Sequence, residues 1–286
     1  MSLRMRAYYY AILGALGALA GWRLTDTLGF VSGQTVYISD ALLGGAIGLC
    51  VGCLIGASEG LLRRSWYRAL RAGALAGAVG LVAGAVGLPL SEFIFQLTGG
   101  ELVGRVLGWS IFGLLLGLSE GITGGTQMWK GAAGGAIGGA VGGAVLYLLQ
   151  SWLGITVLGK MLGLIVLGAA VGAFIALIVV LLSRAWLEVL NGKLKGTEFI
   201  LDKFLHEHGP AAVIGSNDFK ADIAIPDPDL APQHARLKGA GSHFVIEDLS
   251  VGKGTFVNGQ RVQLARLSDR AKIRVGNTEL LYHERR

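Results

Sequence analysis

Two glutamates lie within otherwise apolar stretches of the sequence, where a carboxyl group could bind an ion or carry a proton. Glu59 and Glu120 are the acidic residues inside the predicted membrane spans. A carboxylate in the hydrocarbon region is costly, and such residues often mark an ion or proton path. Both also fall near predicted helix ends, where they could pair with Arg63, Arg64 or Lys130 or reach water. The sequence leaves both interpretations open, an ion path and a structural ion pair.

Two other motifs have residue types that suit a metal or redox site. Cys50 and Cys53 share one helical face, but no second Cys or His pair completes a zinc set. His206 and His208 flank Glu207 in a polar loop and have no third ligand in sequence. We therefore predict no metal site and no cofactor. The sequence also has no nucleophile elbow, phosphate-binding loop or kinase motif set, so we predict no catalytic activity.

The composition indicates a membrane part and a soluble part. Apolar residues make up 52% of the 286 positions, charged residues make up 15%, and the mean hydropathy is +0.58, which is too apolar for an ordinary soluble chain. The glycines concentrate before Gly192, and the charged residues concentrate after it. We predict an α+β multidomain chain, with a glycine-rich helical membrane domain over 1–185 and an all-β cytoplasmic domain over 186–286.

Six apolar runs have about the 20 residues that a helix needs to cross a membrane. They lie at 4–22, 41–62, 70–90, 102–122, 131–153 and 161–183. The first run could instead be a signal peptide, but Tyr8, Tyr9 and Tyr10 suit an interfacial belt and favour a retained span. The sequence thus predicts a bundle of about six spans.

The charges between the runs predict the orientation of the chain. Arg63, Arg64 and Arg68 crowd the second connection. By the positive-inside rule this connection is cytoplasmic, and both termini are then cytoplasmic in a bacterial-type inner or plasma membrane. Lys193 and Lys195 follow the last run, where anionic lipid headgroups lie. The net charge of +6 is not clustered as a nucleic-acid surface requires, so we predict lipid contact and no nucleic-acid partner.

Small residues recur at helical spacing along the apolar runs. In the second run they are Gly44, Gly48, Gly52, Gly56 and Gly60. Such glycine zippers let helix backbones approach closely in lipid, and they predict a compact bundle that could also pair between chains as a homo-oligomer. The segment 52–60 recurs as 113–121, which is 61 residues later. We predict tandem repeats of about 60 residues built on a duplicated helical hairpin.

The last hundred residues carry a different pattern of short apolar runs and turn residues. Val213-Ile214-Gly215-Ser216, Asp222-Ile223-Ala224-Ile225, Ala231-Pro232-Gln233-His234-Ala235 and Gly254-Thr255-Phe256-Val257-Asn258-Gly259 follow in that order. Alternating runs between Asp, Pro and Gly predict a β-sandwich. The order and spacing resemble the forkhead-associated (FHA) domain, which usually recognises phosphothreonine on a partner protein. The resemblance assigns structural roles to Gly215, His234, Gly254, Thr255, Asn258 and Gly259.

The positions that bind phosphate in this family hold other residues here. The family has an Arg directly after the first Gly, where this chain has Ser216, and a Ser three residues before the His, where it has Ala231. The loop before Gly-Thr offers Gly252 and Lys253 in place of a hydroxyl or Asn pair. Phosphate recognition depends on charge-assisted hydrogen bonds, which a hydroxyl at the Arg position cannot supply. Lys253 could replace the missing cation in part.

We therefore expect a membrane-anchored signalling scaffold that presents its FHA-like domain to a protein partner, with non-canonical or lost phosphothreonine recognition. The sequence leaves open whether that partner is phosphorylated. The candidate partner-binding loops carry Ser216, Asn217, Gln233 and Lys253. The alternative is a channel or transporter that uses the two intramembrane glutamates and is regulated by the FHA-like domain.

Overall fold

The computed structural model describes residues 3–29, 34–62, 65–99, 102–123, 128–154, 156–241 and 243–285. In these residues six helices precede two β-sheets, which confirms the α+β multidomain prediction. The chain separates into two compact units, a membrane unit over Arg4–Leu182 and a soluble unit that contains Ser183–Arg286.

The membrane unit is a bundle of long apolar helices. They are α1 (Leu3–Leu28), α2 (Val36–Leu62), α3 (Trp66–Leu97), α4 (Leu102–Thr123), α5 (Met128–Leu153) and α6 (Val157–Leu181). Among the described residues, α2 to α6 each contain a segment with the length and hydropathy of a membrane span. Arg6 and Arg23 interrupt the apolar run of α1 near its two ends, so a spanning role for α1 stays a prediction.

Glycine backbones approach one another closely between helices α2 and α3. A Cβ added to Gly48 would meet the carbonyl oxygen of Gly80, and one added to Gly80 would meet that of Gly48. Gly44 and Gly84 are related in the same way. The predicted small-residue stripe therefore packs inside the chain, as expected where lipid supplies no hydrophobic drive between helices. Pairing of two chains through such faces stays a prediction.

Each of the two predicted repeats contains one buried serine, and the two serines occupy equivalent positions. The Ser58 hydroxyl donates to the Ile55 carbonyl at 2.6 Å, and the Ser119 hydroxyl donates to the Leu116 carbonyl at 2.6 Å. Each pair of residues lies 61 positions from its counterpart, although the repeat as a whole stays a prediction. The next residue in each copy is Glu59 in α2 and Glu120 in α4, and both of these side chains lie outside the described part of the chain.

The soluble unit is a β-sandwich with a short 3-10 helix at Asp202–Phe204. Its described strands are β1 (Ala185–Val189), β2 (Glu198–Ile200), β3 (Ala212–Gly215), β4 (Ile223–Ala224), β5 (Ala235–Gly239), β6 (Phe244–Asp248), β7 (Thr255–Val257), β8 (Gln260–Val262), β9 (Leu264–Arg266), β10 (Lys272–Val275) and β11 (Thr278–Glu284). One sheet has the order β2-β1-β11-β10-β7-β8 and the other has the order β4-β3-β5-β6-β9. Strands β3 and β4 pair in parallel, and the other pairs described are antiparallel.

Large apolar side chains fill the space between the two sheets. Strand β5 shows the pattern, since Leu237 is fully buried whereas Arg236 and Lys238 on either side of it are exposed. Successive side chains of a strand point to opposite faces, so one face of each sheet covers the core. The fully buried side chains include Leu187, Ile214, Leu237, Ile246, Ile273 and Tyr282.

The first strand begins close to the end of the last helix. Helix α6 ends at Leu181 and β1 begins at Ala185. The backbone N–H groups of Arg184 and Ala185 donate to the Asp202 carboxylate at 2.8 and 3.2 Å. These bonds attach residues 184 and 185 to the sandwich, so in the structure the soluble unit begins slightly before the predicted boundary at 186.

Candidate functional site

Three loops meet at one end of the sandwich. They are the β3–β4 loop (216–222), the β4–β5 loop (225–234) and the β6–β7 loop (249–254), and we refer to them together as the loop end. The Ser216 N–H donates to the Ala231 carbonyl at 3.0 Å, which joins the first two loops. All four predicted partner-binding residues therefore lie on the loop end.

His234 connects the β4–β5 loop to the β6–β7 loop. Its ring is fully buried, and Nδ1 accepts a hydrogen bond from the Ala231 N–H at 3.2 Å. Nε2 lies 3.2 Å from the Gly254 carbonyl oxygen. Because Nδ1 accepts and a carbonyl can only accept, the proton belongs on Nε2, which donates. The histidine thus holds two loops together within the domain and is not presented to a partner.

Asp248 organises the start of the β6–β7 loop, a role that sequence reasoning missed. Its Oδ1 accepts from the Ser250 N–H at 3.1 Å, the Ser250 hydroxyl at 2.7 Å and the Thr255 hydroxyl at 2.9 Å. Partial burial opposes ionisation, but these hydrogen bonds outweigh it and lower the pKa of Asp248. The signal in the sequence is the Asp-x-Ser spacing of residues 248–250, which is typical of an Asx turn.

The Asn258-Gly259 pair forms the tight turn between β7 and β8. Val257 pairs with Gln260, so the loop has two residues, and both have positive φ, at 51° and 82°. This is the geometry that favours Asn-Gly in a hairpin. The Asn258 side chain also accepts from the Lys272 N–H at 2.9 Å, which ties the turn to the neighbouring strand.

Gly215 and Gly254 occupy places that exclude a side chain. A Cβ on Gly215 would collide with the Pro232 carbonyl, where the β3 and β4–β5 backbones approach closely. Gly254 has φ of +77° and lies beneath the Arg261 side chain. Glycine tolerates both conditions because it has no Cβ.

The three polar candidates of the first two loops mainly brace those loops. Asn217 accepts from the Phe219 and Lys220 N–H groups at 2.8 and 3.2 Å through its side-chain oxygen. The Gln233 amide donates to the Lys220 carbonyl at 3.1 Å. Ser216 and Asn217 are half-buried, while Gln233 is exposed. Of these three, Gln233 is the most available to a partner.

Lys253, the candidate replacement for a phosphate-binding cation, is paired within the domain. Its ammonium group lies 2.9 Å from Asp229 Oδ1, and the Asn277 amide donates to the other oxygen of that carboxylate at 2.5 Å. The hydrogen bond and the charge of Lys253 hold the pKa of Asp229 below its usual range. Sequence reasoning missed Asp229, which lies 24 residues from Lys253. A phosphate would have to compete with this carboxylate for the ammonium group.

The exposed surface of the loop end is apolar at its tips. Phe219 in the β3–β4 loop is 72% exposed and Val251 in the β6–β7 loop is fully exposed. Arg261 donates to the Gly252 carbonyl at 3.3 Å beside the second tip. We define Phe219, Val251 and Arg261 as the tip surface. Phe and Arg are enriched at protein interfaces, so the tip surface is a candidate for a protein contact.

The described residues contain no group of three or more His, Cys, Asp or Glu placed to hold a metal ion. Cys50 and Cys53 are free thiols in α2. The Cys53 sulfur lies against Gly77 of α3, where a Cβ would collide with it, so in this structure Cys53 fills a space between helices.

A family model described as the inner membrane component of T3SS, cytoplasmic domain, matches residues 188–285. Among solved structures, the FHA domain of the CT664 protein from Chlamydia trachomatis is 31% identical, with a TM-score of 0.33, over 36% of this chain and 100% of that one. The FhaA FHA domain, complexed with the intracellular domain of Rv3910, is 26% identical, with a TM-score of 0.30, over 35% and 99%.

The cytoplasmic domain of the T3SS sorting platform protein PscD from P. aeruginosa is 20% identical, with a TM-score of 0.31, over 35% of this chain and 80% of that one. A comparison with curated proteins finds no match. The family model lies within the soluble unit and leaves the membrane unit uncovered.

Proposed function

We propose that the chain is a membrane-anchored scaffold whose C-terminal FHA-like domain docks a protein partner on its tip surface. The support comes from the tip surface itself. Phe219 projects from the β3–β4 loop, which the Asn217 side chain braces, and Val251 projects from the β6–β7 loop, whose Gly254 carbonyl lies 3.2 Å from His234 Nε2. A rigid scaffold with exposed apolar tips is suited to binding.

The docking does not depend on phosphothreonine. The main observation is the ion pair between Lys253 and Asp229, at 2.9 Å. Lys253 is the candidate cation for a phosphate, and it is already paired with a carboxylate. Ser216 and Ala231 occupy the positions where the family has its phosphate-binding Arg and Ser. A phosphate on the partner would meet the Asp229 carboxylate without a bidentate Arg to compensate.

The proposed location is the bacterial inner membrane, with the FHA domain and both termini in the cytoplasm. The family description, the five apolar helices and the arginines between the second and third spans support this location. Because the family model describes an inner membrane component of a secretion system, we propose that the partner belongs to a multi-protein assembly at the membrane.

Photo-crosslinking in cells tests the docking proposal. A benzophenone amino acid is placed at residue 219 or 251 of the full-length protein, and at exposed Glu207 as the control. Residue 207 precedes β3, whereas the β3–β4 loop follows it, so the control lies at the opposite end of that strand. We expect a discrete protein adduct from positions 219 and 251, and none from 207.

A second experiment illuminates membranes isolated from the same cells, with or without prior phosphatase treatment, and separates the two modes of docking. An adduct of unchanged yield is expected, because no phosphate is required. Adducts that are equal at all three positions, or absent from all three, would contradict docking on the tip surface. An adduct that phosphatase abolishes would contradict phosphate-independent docking.

A further inference from the structure

The membrane unit contains a cavity at one end of the helix bundle. It has about 280 Å³ open to water-sized molecules and is lined by residues from all six helices. The lining includes the ends of α1, α3 and α5 and the beginnings of α2, α4 and α6. The side chains that define its chemistry are Trp22, Asp40, Glu92, Arg105, Trp109 and Lys160.

Three of the five charged residues in the lining are in ion pairs, and the other two are Asp40 and the exposed Lys160. Arg105 lies 3.3 Å from Glu92, with both side chains largely covered. Asp26, also in the lining, lies 3.0 Å from Arg23. Asp40 differs, because its Oδ2 atom is buried and has no hydrogen-bond partner among the described residues. A buried carboxylate oxygen without a donor is costly, so Asp40 is the group that a ligand would satisfy.

A second orphan polar atom lies in the same cavity wall. The Trp109 side chain is 5% exposed, and its indole Nε1 has no hydrogen-bond partner in the described part of the protein. Its ring packs edge-on against Phe112 with centroids 5.3 Å apart, which fixes its orientation. A buried indole N–H normally finds an acceptor. The cavity therefore lacks one donor, for Asp40, and one acceptor, for Trp109.

We propose that this cavity binds an organic ammonium group that carries a neighbouring hydrogen-bond acceptor. The ammonium N–H groups would donate to Asp40, and the acceptor would take the Trp109 N–H. Trp22 and Trp109 line the cavity, and aromatic rings attract organic cations. A Ca²⁺ or Mg²⁺ ion fits poorly, because such ions take six or more oxygen ligands and only one carboxylate here is unpaired.

An ammonium group with a neighbouring oxygen acceptor has two sources, the headgroup of an ethanolamine phospholipid and a free amine such as ethanolamine in solution. Lys160 lies in the first turn of α6, and α6 has 25 residues, or about 37 Å of helix. The cavity is therefore about one membrane thickness from Leu181, where α6 ends. With the proposed cytoplasmic C-terminus, it lies toward the opposite side of the membrane.

Ethanolamine is the probe for the test, with full-length protein in detergent. Binding is followed by tryptophan fluorescence and by thermal unfolding at constant ionic strength, with sodium chloride as the salt control. We expect saturable binding that Asp40→Asn weakens by at least about tenfold, since it removes a charge-assisted bond. Asp26→Asn is the matched control, because that carboxylate lines the same cavity but is already paired, and it should change affinity by less than about threefold.

Trp109→Phe provides a second variant that keeps the aromatic ring and removes the N–H. It should weaken binding about three- to tenfold, whereas Trp66→Phe, at an exposed tryptophan, should not. Reconstitution into nanodiscs with or without phosphatidylethanolamine identifies the source, because the lipid headgroup would compete with free ethanolamine. Absence of saturable binding in all arms, or equal binding by wild type and both cavity variants, would overturn the proposal.

Discussion

In the membrane unit glycine backbones approach one another closely between helices, whereas in the soluble unit large apolar side chains make the contacts between sheets. Gly48 and Gly80 bring two helices together by having no side chain. Leu237 and Tyr282 join two sheets by filling the space between them. Lipid supplies no hydrophobic drive between helices and favours close van der Waals packing, while water drives the burial of apolar area.

The comparison predicts that substitution by alanine lowers the stability of the soluble unit when it removes buried side-chain volume. Leu237→Ala should destabilise the 183–286 fragment by about 3 kcal/mol, because Leu237 is fully buried and its loss leaves a cavity. Chemical denaturation of the fragment measures this change. Leu264→Ala is the control, since Leu264 is 68% exposed and should cost less than about 0.5 kcal/mol. Similar losses for the two variants would show that the sandwich core is not where the structure places it.

In the membrane unit, replacing a glycine between two helices by alanine should lower the stability, because it adds a methyl group where the backbones are close. Gly48→Ala places a methyl group against the Gly80 carbonyl and should cost about 2 kcal/mol. Gly45 lies three residues earlier, and a Cβ there would meet Ala85 at an ordinary 3.4 Å. Gly45→Ala should be neutral or stabilising by up to about 1 kcal/mol, because alanine is the better helix former. Unfolding of the full-length protein in mixed micelles compares the two, and an equal loss from both would refute glycine-mediated contact.

A smaller effect distinguishes the loop end from the core. The pKa of Asp248 is lowered from 3.8 in the folded domain, so its ionised form stabilises the fold above that pH. Asp248→Asn should therefore cost about 1 kcal/mol at neutral pH, and the difference from wild type should disappear as pH falls through the folded-state pKa. Denaturation curves at several pH values check this, and a difference that grows in acid would be inconsistent with the assigned hydrogen bonds.

Much of the fold could be predicted from local patterns. The apolar runs located α2 to α6, because a spanning helix must be long and continuously apolar. The Asn258-Gly259 turn and the ordered FHA motifs located the sandwich, because two-residue hairpins restrict residue choice. Such signals lie within a few residues of one another and need no tertiary information.

The chemistry of both sites could not be predicted in the same way. Lys253 is paired with Asp229, which lies on another loop, and only the folded domain brings them to 2.9 Å. The cavity joins Asp40, Arg105 and Trp109 from two helices that no local pattern connects. The roles of Glu59 and Glu120, which the sequence singled out, stay predictions.

Phosphopeptide binding by the 183–286 fragment tests the central claim most directly. A pool of fluorescent threonine peptides and the same pool phosphorylated are titrated and followed by anisotropy. Wild type should bind both pools within about threefold of each other, while Ser216→Arg with Ala231→Ser should prefer the phosphorylated pool by about tenfold or more, since it restores a charge-assisted pair. A wild-type preference of about tenfold for the phosphorylated pool would contradict phosphate-independent docking.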